Sequence, residues 1–271
     1  MSVSIATPSA KPSEQGEEKK VVKKKKFVIL EPVEFKEEWK TVSDIAFNYA
    51  AKMFPTWANC IEESRDELAD IDTVLSGLGP YFPEPKNLFN ALRTPLNKVR
   101  VIIIGQDPYP QTKSNGKPRA QGLSFSVTED DDIPVSLKNI YKELQNSIEG
   151  FKMPKHGNLN YWTDQGVMLL NSCLTVEPGK ADSHSKKNFW LGFISRILNA
   201  VQAVRSNVIV VMWGDKAQKI GKLLNGKAIT LTAPHPSGFS AHRGFIGCGH
   251  FAKINEILTK LNEKPIDWSL P

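Results

Sequence analysis

Four short apolar runs punctuate the chain, each stopped by a glycine or a polar residue. Val99 to Ile104, interrupted by Arg100 and closed by Gly105, is dense in β-branched side chains and predicts a strand buried on both faces. Val167–Asn171, Val208–Trp213 and Ala228–Thr232 have the same character and predict three more. Between them the apolar period lengthens to that of a helix. Pro134 opens one helix, with Leu137, Ile140, Tyr141 and Leu144 on one face. Ser183–Val204, Asp215–Leu224 and Phe251–Leu261 predict three others. Ahead of the first strand, Phe35, Trp39, Val42, Ile45, Ala46 and Tyr49 predict a helix within Glu34–Phe54. Helices are also predicted over Asn59–Leu75 and Asn87–Leu92, with Gly77–Pro85 as loop and Gly122–Val127 too short to assign. Strands alternating with helices predict an α/β fold: a central four-stranded parallel sheet flanked by helices, in a single domain.

Length and charge add a second region. The 271 residues, 40% of them hydrophobic, are enough for one sizeable core and a tail. Residues 1–26 hold seven lysines against three glutamates, so this segment supplies +4 of the net +6 and residues 27–271 only +2. The segment is too polar to bury a core and predicts a disordered, lysine-rich tail ahead of a domain spanning 27–271. Its lysine run fits a nuclear-import signal, a weak phosphate-binding arm, or a solubilising tail with neither role. Within the domain, Lys216 to Lys253 carries five lysines and one arginine without an acidic residue, a stretch that suits a polyanion or a solvated face. No run approaches the roughly 18–20 apolar residues of a membrane helix, and no signal-peptide pattern precedes the domain. A soluble, intracellular monomer is expected, with nucleus, cytoplasm and a viral replication site left open. Cys60, Cys173 and Cys248 lack disulfide or metal-ligand spacing and fit reduced thiols.

Polar residues gather at the predicted carboxyl ends of the strands, the edge where open parallel sheets bind ligands. Gln106 and Asp107 follow the first strand, Asn171 closes the second, Gly214 and Asp215 close the third, and Ala233-Pro234-His235-Pro236-Ser237 follows the fourth. Segments far apart in sequence thus deliver an acid, an amide and an imidazole to one edge. Singly, each has a plainer reading: Asp107 as a turn residue, Asn171 as a strand cap, His235 as a satisfied loop histidine, Phe125 as core. Tyr109, held between Pro108 and Pro110, is harder to assign to a turn alone.

Taken together, GQDPYP at 105–110, LSFSV at 123–127, LLN at 169–171 and HPSGFSAHRGF at 235–245 strongly resemble the family 1 uracil-DNA glycosylases. SLKNIYKEL at 136–144 and WGDKAQKIG at 213–221 match as well, so the resemblance covers residues 34–271. It implies hydrolysis of the N-glycosidic bond of deoxyuridine, in single- or double-stranded DNA, with neither cofactor nor metal. It implies that Asp107 and His235 are catalytic. It assigns uracil binding to Asn171, with Tyr109 against C5, Phe125 stacking on the base, and Gln106 contributing through its backbone. Ser136, Gly214, Ser237 and Arg243 are implied DNA contacts, and Phe239 stands where the family has a wedging leucine. Protein inhibitors that mimic DNA are further expected partners.

The chain departs from the family pattern at several positions. Pro110 replaces a common histidine, the loop through Gln111–Gln121 is longer, Asp215 replaces a phosphate-contacting serine and Gly238 a proline. A rival reading keeps the same fold as a DNA-binding scaffold or replication-accessory subunit. A nucleotide-binding protein is weaker, because no phosphate-cradling glycine-rich loop follows any strand.

Overall fold

The computed structural model describes residues 33–224 and 226–271. Its sheet is built from β1 (Val101–Gly105), β2 (Val167–Asn171), β3 (Ile209–Trp213) and β4 (Ile229–Ala233), all parallel, in the order β2-β1-β3-β4. Every residue of β1, β2 and β3 is buried, which is why they read as continuous apolar runs. β4 lies at an edge with Thr230 and Thr232 exposed, and so alternates.

Successive side chains of β1 enter two separate cores. Ile102 and Ile104 pack with Leu68, Ile71, Phe193 and Ile197, among others, from the Arg65–Ser76 and Leu191–Val204 helices. Val101 and Ile103 share the opposite core with Leu137, Tyr141, Phe251 and Ile254 from the Val135–Ser147 and His250–Lys260 helices. The result is the three-layered α/β/α arrangement expected from the sequence. The tail expected over residues 1–26 lies outside the described residues.

Four helices differ from their sequence reading, and the one predicted over Asn87–Leu92 is two short 3-10 turns, Pro85–Asn87 and Asn90–Arg93. The first helix of the chain begins at Val42, not near Glu34, because Thr41 and Asp44 form a capping box. Phe35 and Trp39 instead pack against Tyr49, with ring centroids 5.3–6.0 Å apart. Their helical spacing thus reports a shared burial site outside a helix. The segment predicted over Asn59–Leu75 divides into Ala58–Glu62 and Arg65–Ser76 helices, with the Ser64 hydroxyl donating back to the Cys60 carbonyl. The predicted Ser183–Val204 helix starts only at Leu191. Asn188 adopts a left-handed conformation, φ 58°, and buried Thr175 joins His184 and Trp190 at 3.0 and 2.8 Å across the break.

Candidate active site

β1 runs between β2 and β3, so the crevice between the ends of β1 and β3 is the topological switch point of the sheet. Gly105 is paired with Asn171 in the β1–β2 register. A Cβ at Gly105 would lie 2.2 Å from Asn171 Oδ1 and 2.6 Å from Ser124 Cβ, so only glycine admits the amide this close to β1. Beyond the strands the pairing continues, with Ser172 N–H donating to Gly105 O and Cys173 N–H to Gln106 O. That ladder fixes the start of the Gln106–Asp107 loop.

Asp107 is held at both carboxylate oxygens. Gln106 Nε2 donates to Oδ1 at 2.8 Å and the Asp182 N–H donates to Oδ2 at 2.8 Å. Burial pushes the Asp107 carboxyl above its ordinary value, while these donors and Lys216 pull against it. The side chain borders a cavity of about 200 Å³ together with Tyr109, Phe125, Ser136 and His235. Asn171 is not among the lining groups; it is buried against Gly105.

The aromatic wall has an unusual backbone. Phe125 has φ 62°, a sparsely populated region for a bulky residue. The Tyr109 hydroxyl donates to its carbonyl at 3.2 Å, and burial pushes the Tyr109 phenol up, keeping it protonated. The Phe125 ring is braced by Trp213, with centroids 5.6 Å apart, and lies 6.0 Å from His235.

His235 is fixed by its own loop. The Ser237 N–H donates to Nδ1 at 3.0 Å, which assigns the proton of the neutral ring to Nε2. Ser240 Oγ donates to the His235 carbonyl, and Asn139 Nδ2 to that of Pro236, each at 2.8 Å. Burial, with Lys216 adding to it, holds the imidazole below its ordinary value. The cavity thus presents a neutral N–H donor opposite a carboxylate.

Among the expected DNA contacts, Ser136 lines the cavity, Phe239 is 88% exposed and Arg243 is exposed. The Ser237 hydroxyl already pairs with Ser240 Oγ at 2.8 Å. Gly214 needs correction. Its N–H donates to Ala233 O at 2.8 Å, so sheet pairing occupies the amide that sequence reading offered to a phosphate. The glycine is required by φ 87° and by the approach of His235, whose Cβ would lie 2.9 Å from an added Cβ. The longer 111–121 loop folds on itself through Thr112 and Pro118. It is anchored by Lys113–Asp130 and Arg119–Asp131 ion pairs, both 3.0 Å.

Sequence reading missed Asp182, which joins Asp107 to Lys216 and has φ 64°. No motif marks it; its position follows from how the 180–188 loop is anchored. Cys60, Cys173 and Cys248 are unpaired thiols. Among the described residues, no three His, Cys, Asp or Glu side chains group as metal ligands.

Residues 93–259 match the model of the uracil DNA glycosylase superfamily, well over half of the chain. A uracil-DNA glycosylase of Vibrio parahaemolyticus is 45% identical over 226 residues, covering 80% of this chain and 97% of the relative. One from Yersinia pseudotuberculosis is 45% identical over 221 residues, covering 79% and 94%. The crystal structure of mimivirus uracil-DNA glycosylase has a TM-score of 0.75 at 30% identity, covering 86% of this chain and 90% of the viral one. A variant of that viral enzyme in complex with UGI has a TM-score of 0.73 at 31% identity, covering 80% and 88%. With the motif residues gathered around the crevice at the switch point and relatives matched along nearly their whole length, the chain belongs to the uracil-DNA glycosylase superfamily.

Proposed function

We propose that the enzyme uses Asp107 and His235 as the reacting pair of a uracil-DNA glycosylase, with Asn171, Tyr109 and Phe125 selecting the base. The activity is hydrolysis of the bond between uracil and deoxyribose in DNA, leaving an abasic site. The observation that carries the assignment is one cavity bordered by a doubly held carboxylate and an imidazole whose Nδ1 is already occupied.

As the bond breaks, the sugar gains positive charge and uracil leaves as an anion. Asp107 stabilises the sugar cation and orients or deprotonates the attacking water. His235 donates Nε2–H to uracil O2 as negative charge collects there. A neutral donor suffices, and the low imidazole pKa supports it. Asn171 pairs with uracil O4 and N3–H, Tyr109 fills the space a thymine methyl would need, and Phe125 stacks on the ring.

A base inside a duplex is out of reach, so the nucleotide must be flipped out, as glycosylases do. Exposed Phe239 is suited to fill the vacated stack. Arg243 and the lysines between 216 and 253 supply salt-sensitive phosphate attraction. A DNA-mimicking protein inhibitor is proposed to cover the same face, because a viral relative binds UGI. Three unpaired cysteines support an intracellular setting.

The test is base release from labelled oligonucleotides, single-stranded and duplex, carrying uracil, thymine or cytosine, with EDTA present. Release of uracil alone is expected. Tight binding without release would instead favour the scaffold reading.

A further inference from the structure

Asp107 is tied to an ion pair between Asp182 and Lys216. Asp182 lies in the loop between β2 and the Leu191–Val204 helix, and Lys216 in the Asp215–Ile220 helix that follows β3. Lys216 Nζ is 2.5 Å from Asp182 Oδ1. Gln106 Nε2 donates to that same oxygen as well as to Asp107, and the Ser185 hydroxyl donates to it at 3.2 Å. The Asp182 N–H meanwhile holds the other oxygen of Asp107. One amide therefore bridges two carboxylates, and one ammonium closes the arrangement from across the crevice.

Two carboxylates sharing an amide raise each other's proton affinity unless a cation offsets one of them. We propose that Lys216 and Asp182 are positioning residues: their ion pair fixes the Asp107 carboxylate, and Lys216 offsets the Asp182 charge so that Asp107 stays ionised beside a neutral His235. The proposal rests on the reading of Asp107 and His235 as the reacting pair.

The charged groups acting on Asp107 are Asp182 from the 180–188 loop and Lys216 from the helix after β3, and on His235 Lys216; Lys186 acts on Asp182. Lys216 acts on both members in the useful direction, favouring the Asp107 anion and opposing the His235 cation. Asp182 opposes it at Asp107 by charge, yet supplies the N–H that orients the carboxylate. Burial pushes the Asp182 carboxyl up, but the Lys216 bond and charge, with Ser185 and Lys186, hold it below its ordinary value. Lys216 is half exposed and also lines a neighbouring cavity of about 420 Å³ with Lys186 and Lys219. Solvent and salt therefore screen its effect.

The experiment is a carboxyl carbon-13 NMR titration of Asp107 alongside single-turnover uracil excision across pH, in Lys216→Met, Lys216→Arg and Asp182→Asn. Methionine keeps the aliphatic stem, while asparagine tolerates the left-handed backbone and retains the N–H. The Asp107 titration and the acid limb of excision are expected to rise by about 0.5–1 pH unit in Lys216→Met. They should fall by a similar amount in Asp182→Asn and stay near wild type in Lys216→Arg. Reduced excision in both neutral variants with an unmoved Asp107 titration, or shifts of one sign in both, would overturn the proposal. A carboxylate that shifts as expected while the excision profile stays fixed would overturn Asp107 as the reacting group, and the positioning role with it.

Discussion

At Asn171 a single amide is asked to separate two bases that differ in the direction of two hydrogen bonds. Uracil offers an acceptor and then a donor, cytosine the reverse, so selectivity depends on which amide atom faces which edge. Gly105 leaves the room that the Asn171 amide occupies against β1. Replacing Asn171 with Asp removes the donor to uracil O4 and leaves acceptors suited to the cytosine amino group. Release from matched uracil and cytosine oligonucleotides is expected to shift toward cytosine; unchanged selectivity would remove Asn171 from base reading. Residue types at this scale were legible, because Asp107, Tyr109, Phe125, Asn171 and His235 lie in dense motifs. What could not be read was which backbone groups are already engaged. Gly214 is a glycine beside a strand end in either view, but only the sheet register shows its amide bonded to Ala233. Asp182 was invisible because its role depends on a loop conformation that nothing in its neighbours dictates.

The helix Val135–Ser147 lines the cavity through Ser136 and braces the site from further along its length. Asn139 and Glu143 lie one turn apart on it and hold both ends of the loop that carries His235 and Phe239. Asn139 bonds Pro236 O, while the buried Glu143 carboxylate accepts the Gly247 and Gly249 amides at 2.5 and 2.8 Å. Glu143→Ala leaves two amides seeking partners, so a stability loss of about 2–3 kcal/mol is expected in urea unfolding. A loss below about 0.5 kcal/mol would show that the loop is held elsewhere, since that is the ordinary scatter of surface changes. Elements were legible where one periodicity dominated, as in the four strands and the Pro134 helix. They were misjudged where tertiary anchors outweighed periodicity. Phe35 and Trp39 are apolar at helical spacing but serve a cluster with Tyr49, and Thr175 draws the chain between His184 and Trp190 out of a helix.

For the whole molecule, three histidines bear on stability in the same direction. Burial is the largest cause holding His184, His235 and His250 below their ordinary values, with Glu177 opposing it at His184 and nearby lysines adding to it at all three. The unfolded chain protonates these side chains near about pH 6.5, where the folded one resists. Between the unfolded and folded values the unfolded state binds more protons, so stability falls as pH is lowered through that window. Urea midpoints are expected to drop between pH 7.5 and 5.5; a flat or rising midpoint would contradict the buried neutral assignment. Asp107, raised by burial, carries the opposite sign. The sheet order itself was not legible from the strands, which fixed their number but neither the exposed face of β4 nor that β1 would lie between β2 and β3. That order makes the crevice, and the crevice makes Asp107 and His235 one site. The most direct test of this account is single-turnover uracil excision measured beside DNA binding for Asp107→Asn and His235→Ala. Excision is predicted to fall by about 10²–10³-fold or more in each, the scale of a lost transition-state interaction, with binding changed by less than about threefold. Loss of binding equal to the loss of excision in both variants would contradict it.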